Sequence, residues 1–369
     1  MGDLRSVDGH SNDSPSSRSA AERSFGGASL KENIVRSYHA NSGAGIPGLT
    51  LREHEQPRPG SREVLLRVRA NSLNSRELLV LQGTYPLPVK PDVVMGADGA
   101  GEVVATGPGV TRVAIGDRVG AAMFPRWIAG RIDWEYAPQL GGSVDGMMTE
   151  FIVLSEDALV RIPDHLSFEE AATLPCAAVT AWNALTGARS LQAGETVLTL
   201  GSGGVSLFAV QFAKAFGARV IATTSSDDKA DKLKAAGADD VINYRTTPDW
   251  HLAVRDLTAG RGVDQVVEIG GGTMEQSIKA TALDGQINFV GRLSGAVSAI
   301  DTNVLYNAVA TIRVIFAGNR DHFLAMNRAI TANRLKPLID RVFRFADVPA
   351  AFRYFETGRH FGKVVITHD

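Results

Sequence analysis

From Glu195 onward, short apolar runs alternate with segments whose apolar residues recur at helical spacing. Each run is separated from the next by a length that fits one helix, and the six runs are TVLTL, RVIATT, DVINY, QVVEI, QINFV and TIRVIF. Strands that alternate with helices in this way build a parallel sheet with helices on both faces. The pattern therefore predicts an α/β fold with a six-stranded, doubly wound parallel sheet.

The chain before this region has a different texture. A strand is predicted from Val64 to Ala70, and the residues from Gly96 to Thr106, followed by GVTRVAIGDRVG, form short apolar runs broken by Gly and Asp turns. After Asn319 come a predicted helix, Phe323 to Asn333, and a last strand, KVVIT, that has no place in a completed six-stranded sheet. We therefore expect a mainly β domain formed by residues 31–175 and 319–369, and an α/β domain with the parallel sheet formed by residues 176–318.

Composition sets the broad class of the protein. A chain of 369 residues is longer than one hydrophobic core usually supports, which agrees with two domains. Residues 1–30 are rich in Ser, Gly and Asp without hydrophobic periodicity, and we expect a flexible tail with no secretory or mitochondrial targeting signal. No apolar run approaches the roughly 20 residues that cross a bilayer. The net charge of -2 offers no basic field for nucleic acid, so small-molecule partners are expected.

The single cysteine, Cys176, rules out an internal disulfide framework and a metal cage built from several cysteines. This is typical of a reducing compartment, and we expect the protein to be cytoplasmic.

A glycine-rich loop follows the first strand of the α/β region in TVLTLGSGGVSLFAVQFAKAFGARVIATT. Gly201 and Gly203 permit a tight turn and close approach of a pyrophosphate, while Gly204 and Val205 begin a helix whose free N–H groups attract anions. Ser206 replaces the third glycine of the dinucleotide fingerprint but is still small. The strand, loop and helix context favours a Rossmann dinucleotide site; the alternative is a glycine-rich turn that binds no nucleotide.

The second strand ends without the acid that would accept a hydrogen bond from the ribose of NAD. It ends at Thr224, and Ser225 and Lys229 follow with side chains that can donate to a phosphate. This favours NADP, with NAD as the alternative if Asp227 or Asp228 turns towards the ribose. The same residues are also compatible with a solvated turn that contacts no cofactor.

An ordered series of motifs resembles a known family. It comprises NSLNSRELLVLQGTYP, GADGAGEV, GDRV, EEAATLPCAAVTAWNAL, GSGGVSLFAVQFAK, GADDVINYR, GRGVDQVVEIGG and HFGKVVI. From Val64 to its end the chain resembles medium-chain dehydrogenases/reductases, and in particular their zinc-independent, quinone-oxidoreductase-like branch. The resemblance implies that the first domain and the C-terminal segment form a GroES-like catalytic domain, with the cofactor in the cleft against the Rossmann domain.

The resemblance also bears on zinc. Zinc-dependent relatives hold the metal with a Cys, the His of a GHE motif and a second Cys or His. Here Ser75 stands where the first Cys belongs, the motif reads Gly96, Ala97, Asp98, and only Cys176 remains. We therefore expect no metal site, with Cys176 a buried residue beside the nicotinamide.

Residue by residue, the resemblance implies two sets of contacts. Substrate-cleft residues are Asn74, Arg76 and Tyr85, although Tyr85 is equally compatible with an anchoring role in its turn with Pro86. Family members often carry a Tyr in place of Ser75, so the identity of the proton donor is open. The implied cofactor contacts are Thr180 near the nicotinamide, Val290, Gly291, Phe316 and Ala317 along its ribose and carboxamide, Tyr244 beside the adenosine phosphate, and Lys363 at a cofactor phosphate.

Without a Lewis acid, hydride transfer suits quinones and α,β-unsaturated carbonyls better than simple alcohols. The sequence thus favours a reductase. The alternatives are a zinc-independent NAD(P)-dependent alcohol dehydrogenase and a non-catalytic NADPH-binding protein. We expect a homodimer in which the two copies pair through TIRVIF as an edge strand. We also expect the segment from Phe124 to Asp145 to form either a lid that faces the substrate or a packed surface excursion.

Overall fold

The computed structural model describes residues 34–291 and 299–368. The flexible tail predicted for residues 1–30 lies outside these ranges. Among the described residues, no helix is long and apolar enough to cross a membrane.

The first part of the chain is mainly β, as its turn-rich pattern predicts. Its strands are β1 (Ile34–Ala40), β2 (Thr50–Glu55), β3 (Glu63–Ser72), β4 (Val93–Val94), β5 (Asp98–Thr106), β6 (Arg118–Ala121), β7 (Phe151–Ser155) and β8 (Leu159–Arg161). Three helices accompany them, α1 (Ser75–Gln82), α2 (Phe168–Ala171) and α3 (Val179–Thr186). The long strand β3 pairs with both β5 and β7, while β1 forms a small sheet with β2 and β4.

The middle of the chain forms the predicted parallel sheet. Its strands are β9 (Thr196–Leu200), β10 (Arg219–Thr224), β11 (Asp240–Asn243), β12 (Val263–Glu268), β13 (Thr281–Phe289) and β14 (Thr311–Val314). The helices between them are α4 (Gly204–Ala215), α5 (Asp227–Ala235), α6 (Trp250–Leu257), α7 (Met274–Ala280) and α8 (Thr302–Ala308).

The strand order is β11-β10-β9-β12-β13-β14, and every pairing is parallel. This is the order of a doubly wound dinucleotide-binding sheet, so the predicted α/β fold is confirmed. The order reverses between β9 and β12, which places the cofactor crevice at the carboxyl end of β9. Apolar runs such as TVLTL are buried on both faces because helices cover both sides.

The C-terminal segment contains α9 (Arg320–Asn333), β15 (Ile339–Arg344), α10 (Val348–Glu356) and β16 (Lys363–Thr367). The last strand, β16, runs antiparallel to β3 and thus joins the sheet of the first domain. Helix α9 buries Phe323, Met326 and Ile330 in one apolar cluster with residues of α3 and α4. This helix therefore packs against both parts of the molecule.

Candidate active site

The glycine loop lies between β9 and α4. Gly201 has a φ of 73°, a conformation that L side chains rarely adopt. A Cβ built on Gly203 would meet no atom within 4 Å, so the space beside this residue is open. The first turn of α4 begins at Gly204 and points its unpaired N–H groups at that space. The loop offers the open cradle and helix terminus that a pyrophosphate requires.

The C-terminal segment contacts this loop directly. Gly203 and Gly362 form an isolated parallel bridge, and the N–H of Gly362 donates to the carbonyl of Ser202 at 3.0 Å. A Cβ on Gly204 would lie 2.6 Å from Cδ of Lys363, so this glycine makes room for the lysine side chain. The cofactor loop and β16 are thus in direct contact.

Ser225 and Tyr244 directly follow the ends of β10 and β11, and Lys229 lies in α5. The N–H of Tyr244 donates to the carbonyl of Thr224 at 2.9 Å, and the Tyr244 side chain is 41% exposed. Lys229 Nζ donates to the carbonyl of His360 at 3.2 Å, and burial lowers the pKa of Lys229, with nearby Asp340 opposing that shift. The ammonium of Lys229 thus has a neutral partner, and within residues 34–291 and 299–368 no carboxylate lies at ion-pair distance from it.

The hydrogen bonds of Thr224 and Asp227 bear on the predicted contacts to the adenosine ribose and its phosphate. Thr224 is only 1% exposed, and its hydroxyl donates to the carbonyl of Ser226 at 3.3 Å, so its side chain is unavailable to a cofactor. Thr224 marks the strand end without supplying the contact that was predicted. Asp227 accepts a hydrogen bond from Asn243 Nδ2 at 2.8 Å, whereas Asp228 is exposed.

The residues predicted at the nicotinamide end come together at the carboxyl ends of β12, β13 and β14. Val290 donates its N–H to the carbonyl of Glu268, and Gly291 follows it. Ala317 adopts a φ of 30°, and its carbonyl accepts from Asn183 Nδ2 at 2.7 Å. Thr180 lies in α3, and its hydroxyl donates to the carbonyl of Cys176 at 2.6 Å.

A buried polar cluster centres on Asp98, which is fully buried at the start of β5. Asp98 Oδ2 accepts from Ser72 Oγ at 2.6 Å and from Asn74 Nδ2 at 2.8 Å, and it lies 3.5 Å from Lys363 Nζ. The other oxygen, Oδ1, accepts from the N–H of Cys176 at 2.8 Å. Every contact made by this carboxylate is charge-assisted, which compensates for its burial.

The structure corrects the role predicted for Lys363. Its ammonium donates to the carbonyl of Leu73 at 2.7 Å and to Asn74 Oδ1 at 2.6 Å, besides facing Asp98, and the residue is 3% exposed. An ammonium has three protons, and these three contacts engage all of them. Lys363 therefore packs against the cofactor loop through its methylene groups but has no proton left for a cofactor phosphate.

The same contacts fix the orientation of Asn74. Because an ammonium can only donate, the Asn74 atom facing Lys363 must be Oδ1, and Nδ2 must face Asp98. Asn74 also begins α1, in a capping box with Glu77. Asn74 Nδ2 carries two N–H groups, and one of them donates to Asp98. The hydrogen bond to Asp98 leaves the other N–H unused.

Arg76, which the resemblance implied in the substrate cleft, is buried. Its Nη1 contacts Glu77 Oε1 at 3.1 Å, and it donates to the carbonyls of Leu140 and Gly141. Burial lowers the pKa of Arg76, but the charge of Glu77 and the phenol of Tyr85 outweigh it and the net shift is upward. The guanidinium lies 4.7 Å from the ring centroid of Tyr85. Arg76 thus positions Tyr85 by a cation–π contact.

An apolar cluster adjoins these polar groups. It contains Ala97 and Ala317 together with Leu87, Met123, Phe124 and Trp127, with Tyr85, Tyr136 and Cys176 packed against it. Burial raises the pKa of the Cys176 thiol. The cluster brings the predicted cleft residue Tyr85 beside Ala317 of the predicted nicotinamide end.

The side chains at the expected zinc position do not suit that metal. Ala97 and Ser75 replace a His and a Cys, and the Asp98 oxygens are taken by Ser72, Asn74 and Cys176. Among the described residues, no group of three or more His, Cys, Asp or Glu side chains could hold a metal ion. Zinc prefers thiolate and imidazole ligands in a tetrahedral set, and this position offers one protonated thiol.

Sequence reasoning missed two buried acids. Asp98 directly follows Ala97, which stands at the position of the lost zinc ligand, and that place in the motif was the available signal. Glu268, fully buried at the end of β12, accepts from the N–H groups of Gly270 and Gly271 and from the hydroxyls of Thr273 and Ser277. It shapes the loop after β12, beside the crevice. A charged residue that ends an apolar strand was the available signal.

Comparison with known proteins agrees with this geometry. Residues 60–164 match the family described as "Alcohol dehydrogenase GroES-like domain", and residues 204–332 match "Zinc-binding dehydrogenase". The chain is 42% identical over 338 residues to a zinc-type alcohol dehydrogenase-like protein of Schizosaccharomyces pombe, covering 88% of this chain and 97% of that protein. It is 35% identical over 259 residues to a quinone oxidoreductase of Pseudomonas aeruginosa, covering 70% of this chain and 73% of that enzyme.

A solved structure, that of a putative alcohol dehydrogenase from Sinorhizobium meliloti 1021, superposes with a TM-score of 0.85 at 38% identity. The match covers 91% of this chain and 99% of that one. The fold and the matches together show that the chain belongs to the medium-chain dehydrogenase/reductase superfamily. The protein is an NAD(P)H-dependent oxidoreductase of that superfamily.

Proposed function

We propose that this protein is a zinc-independent, NADPH-preferring reductase that acts on quinones or α,β-unsaturated carbonyl compounds. The observation that carries the proposal is the composition of the position where zinc-dependent relatives bind metal. Ala97 leaves that position apolar, and Asp98 is engaged by Ser72, Asn74 and Cys176. Carbonyl polarisation then depends on hydrogen bonds, which suits acceptors that are already activated.

NADPH, when bound, supplies the hydride. The glycine loop and the first turn of α4 suit its pyrophosphate, and Ser225, Lys229 and Tyr244 suit a 2′-phosphate. Asn243 Nδ2 donates to Oδ1 of Asp227, so only Oδ2 of this carboxylate would remain for a ribose hydroxyl. Val290, Gly291, Phe316, Ala317 and Thr180 line the nicotinamide end in this proposal.

The chain's own groups position the acceptor and exclude water. The apolar cluster around Ala97 forms a dry wall for the acceptor. Asn74 presents the amide that Asp98 and Lys363 orient, and Tyr85, held by Arg76, or a water molecule supplies the proton. Proton delivery from Tyr85 requires its hydroxyl to come within hydrogen-bond reach of the acceptor.

We also propose that two copies associate through β14, which is the edge of its sheet. Val314 on this strand is 60% exposed, and Leu283 and Val309 nearby in the fold are 74% and 65% exposed. An uncovered apolar edge favours pairing with a second copy. The single cysteine fits a reducing cytoplasm.

A substrate panel tests the proposed reaction. Purified protein is given quinones, enals and enones with NADPH or NADH, and primary and secondary alcohols with the oxidised cofactors. We expect the highest kcat/KM for an enone or quinone with NADPH. Efficient alcohol oxidation without turnover of the activated acceptors would favour an alcohol dehydrogenase. Cofactor binding without turnover of any compound would favour a non-catalytic role.

A further inference from the structure

A cavity of about 460 Å³ adjoins the apolar cluster of the active site. Trp127 belongs to both, and Phe316, which lines the cavity, directly precedes Ala317 of the cluster. Its volume lies within the range typical of ligand sites. A substrate that reacts beside Ala97 and Ala317 could therefore extend into this space.

Arg313 forms one wall of the cavity. Its two Nη atoms donate to the carbonyl and to Oδ1 of Asn183, at 2.9 and 2.7 Å. A Cβ on Gly187 would lie 2.5 Å from Arg313 Nη2, so the guanidinium rests against the end of α3 at this glycine. These bonds engage two of its five N–H groups. Within the described ranges, Arg313 has no carboxylate at ion-pair distance.

His322 adds a second donor. Its Nδ1 accepts from the N–H of Asn319 at 3.2 Å, because a backbone N–H can only donate. Burial lowers the pKa of His322, and Arg313 lowers it further, so the ring is neutral and carries its proton on Nε2. Nε2–H has no acceptor among the residues that the structure describes.

Three acceptor atoms around the cavity are already engaged. The carbonyl and Oδ1 of Asn183 bind Arg313, and the carbonyl of Gly130 accepts from Trp127 Nε1 and Asn319 Nδ2. Arg131, at the outer rim, is exposed and adds a second cation. No Asp or Glu is present among the described lining residues. The cavity thus offers two cations and a donor N–H to whatever enters it.

We propose that this cavity binds an acidic group, a carboxylate or a phosphate, carried by the substrate at the end remote from the reacting carbon. The substrate class would then be an activated acceptor with an anionic tail. The inference rests on the proposed reductase function. The hydrogen bonds to the end of α3 account for two contacts of Arg313. They do not explain why no Asp or Glu is among the described lining residues, or why Arg131 and His322 also line the cavity.

Matched acceptors test the proposal. Benzylideneacetone, its para-carboxylate and the methyl ester of that carboxylate differ in charge, and the ester controls for bulk. With NADPH we expect kcat/KM for the carboxylate to exceed that for the ester by about tenfold or more, as charge-assisted hydrogen bonds permit. The preference should shrink at high salt, because Arg131 is exposed and its charge is screened.

Three variants locate the effect. Arg313→Gln and Arg131→Gln should each lower the carboxylate-to-ester ratio, and Arg313→Lys should retain part of it. Arg131→Gln keeps the test valid if loss of the α3 cap harms folding in Arg313→Gln. Arg353→Gln, an exposed change on α10, is the matched control and should keep the wild-type ratio.

A binding measurement separates this inference from the reductase proposal. The saturated carboxylate product is titrated by calorimetry into the NADP⁺-loaded protein, and we expect tighter binding than for its ester. Equal kcat/KM and equal affinity for carboxylate and ester would overturn the anionic-tail inference and leave the reductase intact. No turnover of any acceptor, with the carboxylate still bound selectively, would overturn the reductase proposal instead.

Discussion

Replacing Lys363 by Met should destabilise the protein chiefly by leaving Asp98 as an unpaired buried charge. Lys363 is 3% exposed and Asp98 is fully buried, and their charged atoms lie 3.5 Å apart. Met keeps most of the length of the side chain that packs against Gly204. The variant therefore removes the ammonium without opening a large cavity.

The magnitude follows from the burial of the pair. Removing one partner of a buried ion pair typically costs about 3–5 kcal/mol, and we expect Lys363→Met to fall in that range. Asp98→Asn should cost less, because Lys363 keeps its bonds to the carbonyl of Leu73 and to Asn74. The double variant leaves no unpaired charge, so it should be more stable than the sum of the single effects predicts, by about 2 kcal/mol.

Urea unfolding at pH 7, monitored by fluorescence, gives the free energies of unfolding of the four proteins. The buried ion pair is supported if the double variant is more stable than the sum of the single effects predicts, by about 2 kcal/mol. Additive single effects would refute it, because two groups that do not interact contribute independently. A cost for Lys363→Met below about 1 kcal/mol would also contradict the burial on which the argument depends.

Three other predictions concern cofactor choice, association and pH. Lys229→Ala should weaken NADPH binding by about tenfold with little effect on NADH, and Ser225→Asp should favour NADH, both measured by cofactor titration; wild-type protein that binds NADH as tightly as NADPH would contradict the phosphate site. Val314→Lys on the β14 edge should convert a dimer to a monomer in light scattering, whereas a wild-type monomer at micromolar concentration would exclude the interface. Burial lowers the pKa of His368 to about 4, so the unfolded chain takes up a proton first on acidification. Stability should therefore fall as the pH drops from about 6.5 to about 4, by up to about 1.4 kcal/mol per pH unit, and thermal unfolding of His368→Gln should show a shallower pH dependence.

The α/β sheet was predictable because its strands are buried on both faces. TVLTL and QVVEI stand out as apolar runs, and each is followed by a helical period, so the order of strands and helices could be read directly. The return of KVVIT to the first domain followed from counting strands. By contrast, β15 has four exposed and two half-buried residues without alternation, so its sequence gave no distinct strand signal. Helix α10 buries Val348, Ala351, Phe352 and Phe355 at helical spacing, a signal that was available in the sequence.

The chemistry of the site was less predictable than its location. The motif containing Ala97 and Asp98 identified the position of a lost metal ligand, but not that Asp98 gathers Ser72, Asn74 and Lys363 around it. These residues are separated by up to 291 positions in the chain or lie on different strands, and only the antiparallel pairing of β3 with β5 and β16 unites them. The family resemblance implied Lys363 at a cofactor phosphate, whereas its ammonium is bound to Leu73 and Asn74 inside the protein.

The proposed reaction proceeds without zinc. The most direct test is NADPH-dependent enone reduction by protein treated with a strong chelator, with its metal content determined by elemental analysis. We expect undiminished kcat/KM in protein that contains far less than one zinc per chain, since Ala97 and Ser75 supply no ligand. Stoichiometric zinc that is lost together with activity, and restores activity when added back, would contradict it.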